Sequence, residues 1–218
     1  MIYCMSDIHG EIDRFHIMLQ LIDLKEEDTL YVIGDVIDRH PGGVDILLEI
    51  MQAKNIVMLL GNHEDMCLKT LGDNHQVGAK NLWQSNGGSS TYREMVYHMT
   101  SVGRNQILQF LKKCPIELDV EAGGKSYRLV HGWPGKTTDD KIWGRPLDFI
   151  PSTLPKNAIA IIGHTPTIYL DTDDGASPFK IFHSKSQRFI DIDCGCGNKT
   201  ERRRLACLRL DDLKEYYV

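Results

Sequence analysis

Three short apolar runs, Ile2–Met5, Leu30–Ile33 and Ile56–Leu60, each end in a polar motif flanked by glycine. The motifs are Ser6-Asp7-Ile8-His9-Gly10, Gly34-Asp35-Val36-Ile37-Asp38-Arg39 and Gly61-Asn62-His63-Glu64. Between the runs stand two helical stripes, Ile12, Phe15, Leu19, Ile22 and Val44, Leu47, Leu48, Met51. Strands alternating with helices of about ten residues dictate βαβ units and a largely parallel, buried sheet. In such a sheet the strand ends lie side by side on one edge, so Asp7, Asp35 and Asn62, spaced 28 and 27 positions apart, become neighbours.

From Glu64 to about Lys113 the pattern is helical, with Ile107, Leu108, Phe110 and Leu111 as one stripe. The segment Asn86-Gly87-Gly88-Ser89-Ser90 interrupts it, a turn followed by an N-cap, serving either as a lid or as a plain connection. After Cys114-Pro115 strands are expected at Ile116–Val120, Tyr127–Val130, Ala158–Ile162, Phe189–Ile192 and Leu205–Leu210. The polar stretch from Gly132 to Pro155 reads as a functional loop region.

Two of these later strands repeat the earlier device, ending in His131-Gly132 and Gly163-His164. One rim thus receives the carboxylates Asp7 and Asp35, the imidazoles His9, His131 and His164, and the Asn62 amide. A single catalytic metal takes about three protein ligands and keeps one position open, so this set suits two ions. Oxygen and nitrogen donors without thiolate favour manganese, iron or zinc over calcium. Two ions ~3.5 to 4 Å apart activate a bridging water and stabilise the attacking and leaving oxygens of a phosphoryl displacement.

Composition bounds the alternatives. With 218 residues and 42% hydrophobic content, the expectation is a single domain over residues 1–218. A net charge of −5 argues against nucleic acid as the main partner, because that work leaves a basic footprint. The longest apolar runs, Ile56–Leu60 and Ala158–Ile162, fall far short of the ~20 residues of a membrane span. Six scattered cysteines and an N-terminus without a secretory pattern point to the cytoplasm.

The ordered motifs Asp7-x-His9-Gly10, Gly34-Asp35-x-x-Asp38-Arg39, Gly61-Asn62-His63-Glu64, His131-Gly132 and Gly163-His164-Thr165-Pro166 resemble those of the calcineurin-like metallophosphoesterases. More narrowly they resemble the phosphoprotein phosphatase branch and its bacterial and phage-type serine/threonine phosphatases. Trp83-x-x-Asn86-Gly87-Gly88, Ile142-Trp143-Gly144-Arg145 and Ile190-Asp191-Ile192-Asp193 also look like the bacterial members.

The resemblance implies an α/β fold, a four-layer αββα sandwich of two mixed sheets with flanking helices. It implies that Asp7 and His9 bind a first metal, that Asp35 bridges, and that Asn62, His131 and His164 complete a second. Manganese is the leading choice, with iron or zinc as alternatives. A metal-bridging water would be the nucleophile, His63 the general acid, Asp38 the group that orients it, and Arg39, Arg145 and Asn62 the phosphate contacts. The implied substrate is a phosphorylated protein or a small phosphate ester, hydrolysed without a covalent intermediate, and the implied role is serine/threonine protein phosphatase.

Two departures keep a second substrate class open, dinucleoside polyphosphates or other nucleotides. Leu60 stands where many family phosphatases carry an arginine before Gly-Asn-His-Glu, as in the branch that hydrolyses symmetrical dinucleoside tetraphosphates, although that branch usually has Asp at the position of Glu64. His40 replaces the usual glycine after Asp-Arg. A non-catalytic scaffold is the reading of a different class, opposed by the full ligand set. His16, His75, His98 and His183 are read as ordinary surface or core histidines, Cys194-Gly195-Cys196 as strand and turn, and Glu201-Arg202-Arg203-Arg204 as a solvated hairpin.

Overall fold

The computed structural model describes residues 1–73, 75–147, 150–170 and 179–218. Its first half alternates as the periodicity dictates: β1 (Ile2–Met5), α1 (Ile12–Ile22), β2 (Thr29–Val32), α2 (Gly43–Gln52), β3 (Ile56–Met58) and α3 (Asn62–Leu71). A helical block follows, made of α4 (Ala79–Ser85), α5 (Ser89–Arg93), a π turn at Glu94–His98, and α6 (Ser101–Leu111). The second half runs β4 (Glu117–Ala122), β5 (Lys125–Val130), α7 (Thr138–Trp143), β6 (Ala158–Ile162), β7 (Phe182–His183), β8 (Phe189–Asp191), β9 (Ala206–Arg209) and β10 (Lys214–Tyr217).

The strands form two mixed five-stranded sheets, β10-β9-β1-β2-β3 and β4-β5-β6-β8-β7. In the first, β1, β2 and β3 are parallel, in register from Ile2 opposite Thr29 and Leu30 opposite Ile56. In the second, β5, β6 and β8 are parallel. The C-terminal ends of these parallel strands carry all five histidine- and aspartate-bearing motifs.

Alternation along the strands assigns each side chain to a layer. Tyr3, Met5, Leu30 and Val32 face the outer core with Phe15, Met18, Ile46, Leu47, Ile50, Ile107 and Leu111 of the helices. Cys4, Ile33 and Leu59 point the other way and meet Leu129, Ile161, Ile190 and Leu208 between the sheets. Ile33, Leu59, Leu129 and Ile161 are fully buried there, and each such side chain contributes about 1.5–3 kcal/mol. Beyond the second sheet, Val130, Ala160 and Ile162 are covered by Trp133 and Leu154.

Several particulars differ from the sequence pattern. The stretch from Gly132 to Pro155 contains α7, whose Thr137–Asp140 capping box nucleates a short helix in a polar segment; residues 148 and 149 of that stretch lie outside the described residues. The Glu201–Arg204 run is not uniformly solvated: Arg203 reaches Glu11 at 2.8 Å and Arg204 lies over the Tyr217 ring. Among the described residues no helix is long and apolar enough to cross a membrane.

Candidate metal centre and reaction cleft

The site residues stand on turns that carry backbone strain. Asp7, His9, Asp35, Asp38, Arg39 and His164 all have positive φ, between 51° and 75°. Non-glycine residues enter this region rarely and at a cost, and such strain concentrates where side chains must be aimed at one point. Glycines make the close approach possible. A Cβ on Gly61 would lie 2.3 Å from Asp35 Oδ1, and one on Gly163 would lie 2.3 Å from Ser6 Oγ and 2.5 Å from Asp7 Oδ2.

Asp7, His9, Asp35, Asn62, His63 and His131 are buried, none more than 2% exposed. The ligand atoms of His9, Asp35 and His63 lie within 4.8 Å of one another, and so do those of Asp35, His131 and His164. Asp35 belongs to both groups. Asp7 Oδ1 stands 3.8 Å from His9 Nε2, while its Oδ2 accepts from Ser6 Oγ and from the His164 backbone N–H. His131 Nε2 and His164 Nδ1 both lie 3.0 Å from the same terminal atom of the Asn62 amide.

The imidazoles are oriented from behind. His9 Nδ1 is held by the Ile37 carbonyl at 3.1 Å and His131 Nδ1 by the Ile33 carbonyl at 2.8 Å. Each contact directs the ring's Nε2 inward, the usual support of a metal-ligating histidine. His9 Nε2 is buried with no hydrogen-bond partner.

Electrostatics express the same convergence of lone pairs. Burial would lower the His131 pKa, but the Asp35 and Asp7 carboxylates raise it to about 10. His164 is pushed the other way, to about 3, by burial and by the charge of His131. Against its burial, the Asp35 carboxyl is held well below the carboxylate range by the His131 and His63 imidazoles. A pocket whose donors draw a proton onto a buried histidine, beside an orphaned imidazole nitrogen, has the chemistry of a cation site, and the residues fit two divalent ions.

Above the ligands lies an open cleft of about 390 Å³ lined in part by Arg39, Asn62, His63, Arg145 and His164. His63 Nδ1 donates to Asp38 Oδ2 at 2.7 Å. Burial lowers the His63 pKa, while the Asp35 and Asp38 carboxylates outweigh this and raise it. Arg145 reaches Thr165 Oγ1 at 3.3 Å and keeps its guanidinium at the cleft. The Asn86–Gly88 turn connects α4 to α5 and also accepts the Arg39 backbone N–H on the Gly87 carbonyl.

The departures have structural counterparts. Leu60 is 8% exposed and packs into the outer core, so no guanidinium enters the cleft from that position. His40 Nδ1 faces Glu11 at 3.0 Å and does not line the cleft.

Two residues gain functions that the sequence motifs did not suggest. Glu64, fully buried, accepts the backbone N–H groups of Asp35, Val36, Ile37 and Gly61 at 2.9, 2.9, 3.3 and 3.1 Å, tying the second strand end to the third. Trp83 donates its indole N–H to Asp38 Oδ2 at 2.6 Å, so the carboxylate that orients His63 is itself fixed. The signal for Trp83 was the Trp83-x-x-Asn86-Gly87-Gly88 pattern; that for Glu64 was its place one residue after His63.

A calcineurin-like phosphoesterase family model matches residues 1–192. The chain belongs to that family. A symmetrical bis(5'-nucleosyl)-tetraphosphatase of Delftia acidovorans is 30% identical over 133 residues, 60% of this chain and 41% of that protein. The match to it, and the match to the Acidovorax ebreus tetraphosphatase (43% of that protein), span less than half of those curated relatives. A protein serine/threonine phosphatase from Saccharomyces cerevisiae superposes with a TM-score of 0.67 at 13% identity, covering 100% of this chain and 78% of that one. A metallophosphoesterase from Sphaerobacter thermophilus does so with a TM-score of 0.60 at 16% identity, covering 99% and 86%. At these identities the superpositions establish the fold of this chain.

Proposed function

We propose that this phosphoesterase is a dimetal-dependent phosphomonoester hydrolase acting on phosphoserine or phosphothreonine in proteins. The observation that carries the reading is the buried Trp83–Asp38–His63 relay, whose His63 also stands within 4.8 Å of the ligand atoms of His9 and Asp35. A serine or threonine alkoxide leaves poorly unless it is protonated as the ester bond breaks, and a positioned imidazole supplies that proton. A phosphoanhydride, with a far better leaving group, has less need of one.

In this reading Asp7, His9 and Asp35 hold one ion and Asp35, Asn62, His131 and His164 the other, with manganese the leading choice. Bound there, the ions supply Lewis acidity to the phosphate oxygens and acidify the attacking water. The remaining work belongs to the chain. Arg39 and Arg145 offer planar donors to the non-reacting phosphate oxygens, and Asn62 is close enough to the cleft to add another. His63 gives its Nε2 proton to the departing oxygen as the phosphorus–oxygen ester bond breaks and the water oxygen bonds to phosphorus. Asp38 holds the imidazole and balances its charge before transfer.

A second reading, hydrolysis of dinucleoside polyphosphates, is favoured by two observations. Leu60 leaves one phosphate contact missing, and the tetraphosphatase relatives align over 60% of this chain. Manganese-loaded protein incubated with equal amounts of a phosphothreonine peptide and diadenosine tetraphosphate separates the two. Inorganic phosphate released first from the peptide supports the phosphatase; nucleoside diphosphate appearing first, resolved by anion-exchange chromatography, replaces it with the second reading.

A further inference from the structure

Next to the reaction cleft lies a second cavity of about 510 Å³, and the two share Tyr169, Asn198 and Lys199 in their linings. Arg202 lines the outer cavity. Together the two linings hold four cations, Arg39, Arg145, Lys199 and Arg202, and among the described residues no carboxylate. This stands out in a chain with 30 acidic and 25 basic residues. The cavity beside α3 and α4, by contrast, is lined by Asp65, Asp139 and Lys69. None of the four guanidinium or ammonium groups enters an ion pair among the described residues; Arg14, Arg128, Arg203 and Arg209 are paired with carboxylates, while Arg104 and Arg188 bond backbone carbonyls instead.

An apolar wall completes the outer cavity. Ile168 and Tyr169 are 41% and 72% exposed, on a 3₁₀ turn that follows the His164 strand end. Because the two cavities adjoin at Tyr169, Asn198 and Lys199, a chain whose phosphate sits in the cleft can extend its non-reacting part over the outer one. Cations without an ion pair among the described residues, in one lining with an exposed aromatic, fit an extended chain that carries carboxylates.

We propose that the outer groove is a specificity subsite for acidic residues flanking the phosphorylated serine or threonine, with Lys199 and Arg202 as the recognising cations and Tyr169 as the wall. This rests on the phosphoprotein reading of the cleft. Exposed charge pairs are individually weak and are screened by salt, so the preference arises from two or more contacts together and fades with ionic strength.

The test compares kcat/KM of the manganese-loaded enzyme on a phosphothreonine peptide with glutamates on both sides and on its glutamine counterpart. The expected preference for the glutamate peptide is roughly fivefold to tenfold at low salt, shrinking toward unity at ~10-fold higher salt. Lys199→Ala and Arg202→Ala, both at exposed positions, each reduce that ratio, and the double variant brings it close to one. Equal rates on the two peptides, or a preference that survives both substitutions, overturns the subsite while leaving the phosphatase reading intact. Release of phosphate from neither peptide, with diadenosine tetraphosphate cleaved instead, overturns the subsite and the phosphatase reading together.

Discussion

Trp83 is the residue whose replacement most directly tests how the acid pair is held. It is fully buried, and its indole N–H meets Asp38 Oδ2 at 2.6 Å, on the same oxygen that accepts from His63. The other Asp38 carboxylate oxygen, Oδ1, is buried without a partner. Trp83→Phe keeps an aromatic ring in the site but removes the donor, leaving the carboxylate with His63 alone. A hydrogen bond to a charged group contributes about 1.5–3 kcal/mol, and the smaller ring leaves a void costing about 1 kcal/mol more. The expected loss is therefore about 2.5–4 kcal/mol. For a chain of this length that is a Tm decrease of about 5–15 °C, measurable by calorimetry or by urea titration followed by circular dichroism. Catalysis supplies an independent readout: kcat should fall more on a phosphothreonine peptide than on an activated aryl phosphate, with KM little changed. A loss below about 1 kcal/mol, or equal losses on both substrates, would refute the argument that the indole fixes the acid pair.

His63→Ala should lower turnover by ~10² to 10⁴ on an alkyl ester and much less on an aryl ester of an acidic phenol; equal losses in steady-state kinetics would remove the general-acid role. Asp35→Asn should reduce metal content and activity together, whereas Arg39→Ala keeps the metals and raises KM, a contrast read by elemental analysis. Glu64→Leu strands three backbone N–H groups now bonded within 3.1 Å and should cost about 3 kcal/mol or more in a urea titration. Burial pushes the Cys114 thiol up to about 12. Its thiolate is therefore scarce at pH 8, and alkylation followed by mass spectrometry should run ~10³ slower than for free cysteine, rising tenfold per pH unit below that value.

Much of the site was legible because two simple periods coincide. The apolar runs fixed which residues end parallel strands, and parallel strands place their ends on one edge, so Asp7, Asp35, Asn62, His131 and His164 converge without any further information. The order of strands and helices around them followed from the same runs, whereas the sorting of Cys4 from Tyr3 and Met5, and of Leu129 from Val130, appears only in the packed layers. What was not legible depends on contacts between distant segments. The Trp83 contact spans 45 residues and the Glu64 contacts up to 29, so the motifs that contain these residues do not reveal their partners. Phe182–His183 is too short to show a period, and Lys214-Glu-Tyr-Tyr217 is a strand by pairing with β9, not by apolar alternation. His40 could not be placed from sequence, since its partner Glu11 lies in another strand-end turn.

In the proposed reaction the strand-end residues hold two ions that the hydrolysis requires. Metal-free protein titrated with manganese, with the initial rate of phosphate release from a phosphothreonine peptide followed at each addition, tests it most directly. Activity should climb from near zero to a plateau at two equivalents per chain. Full activity in the metal-free protein, or a plateau at one equivalent, would contradict it.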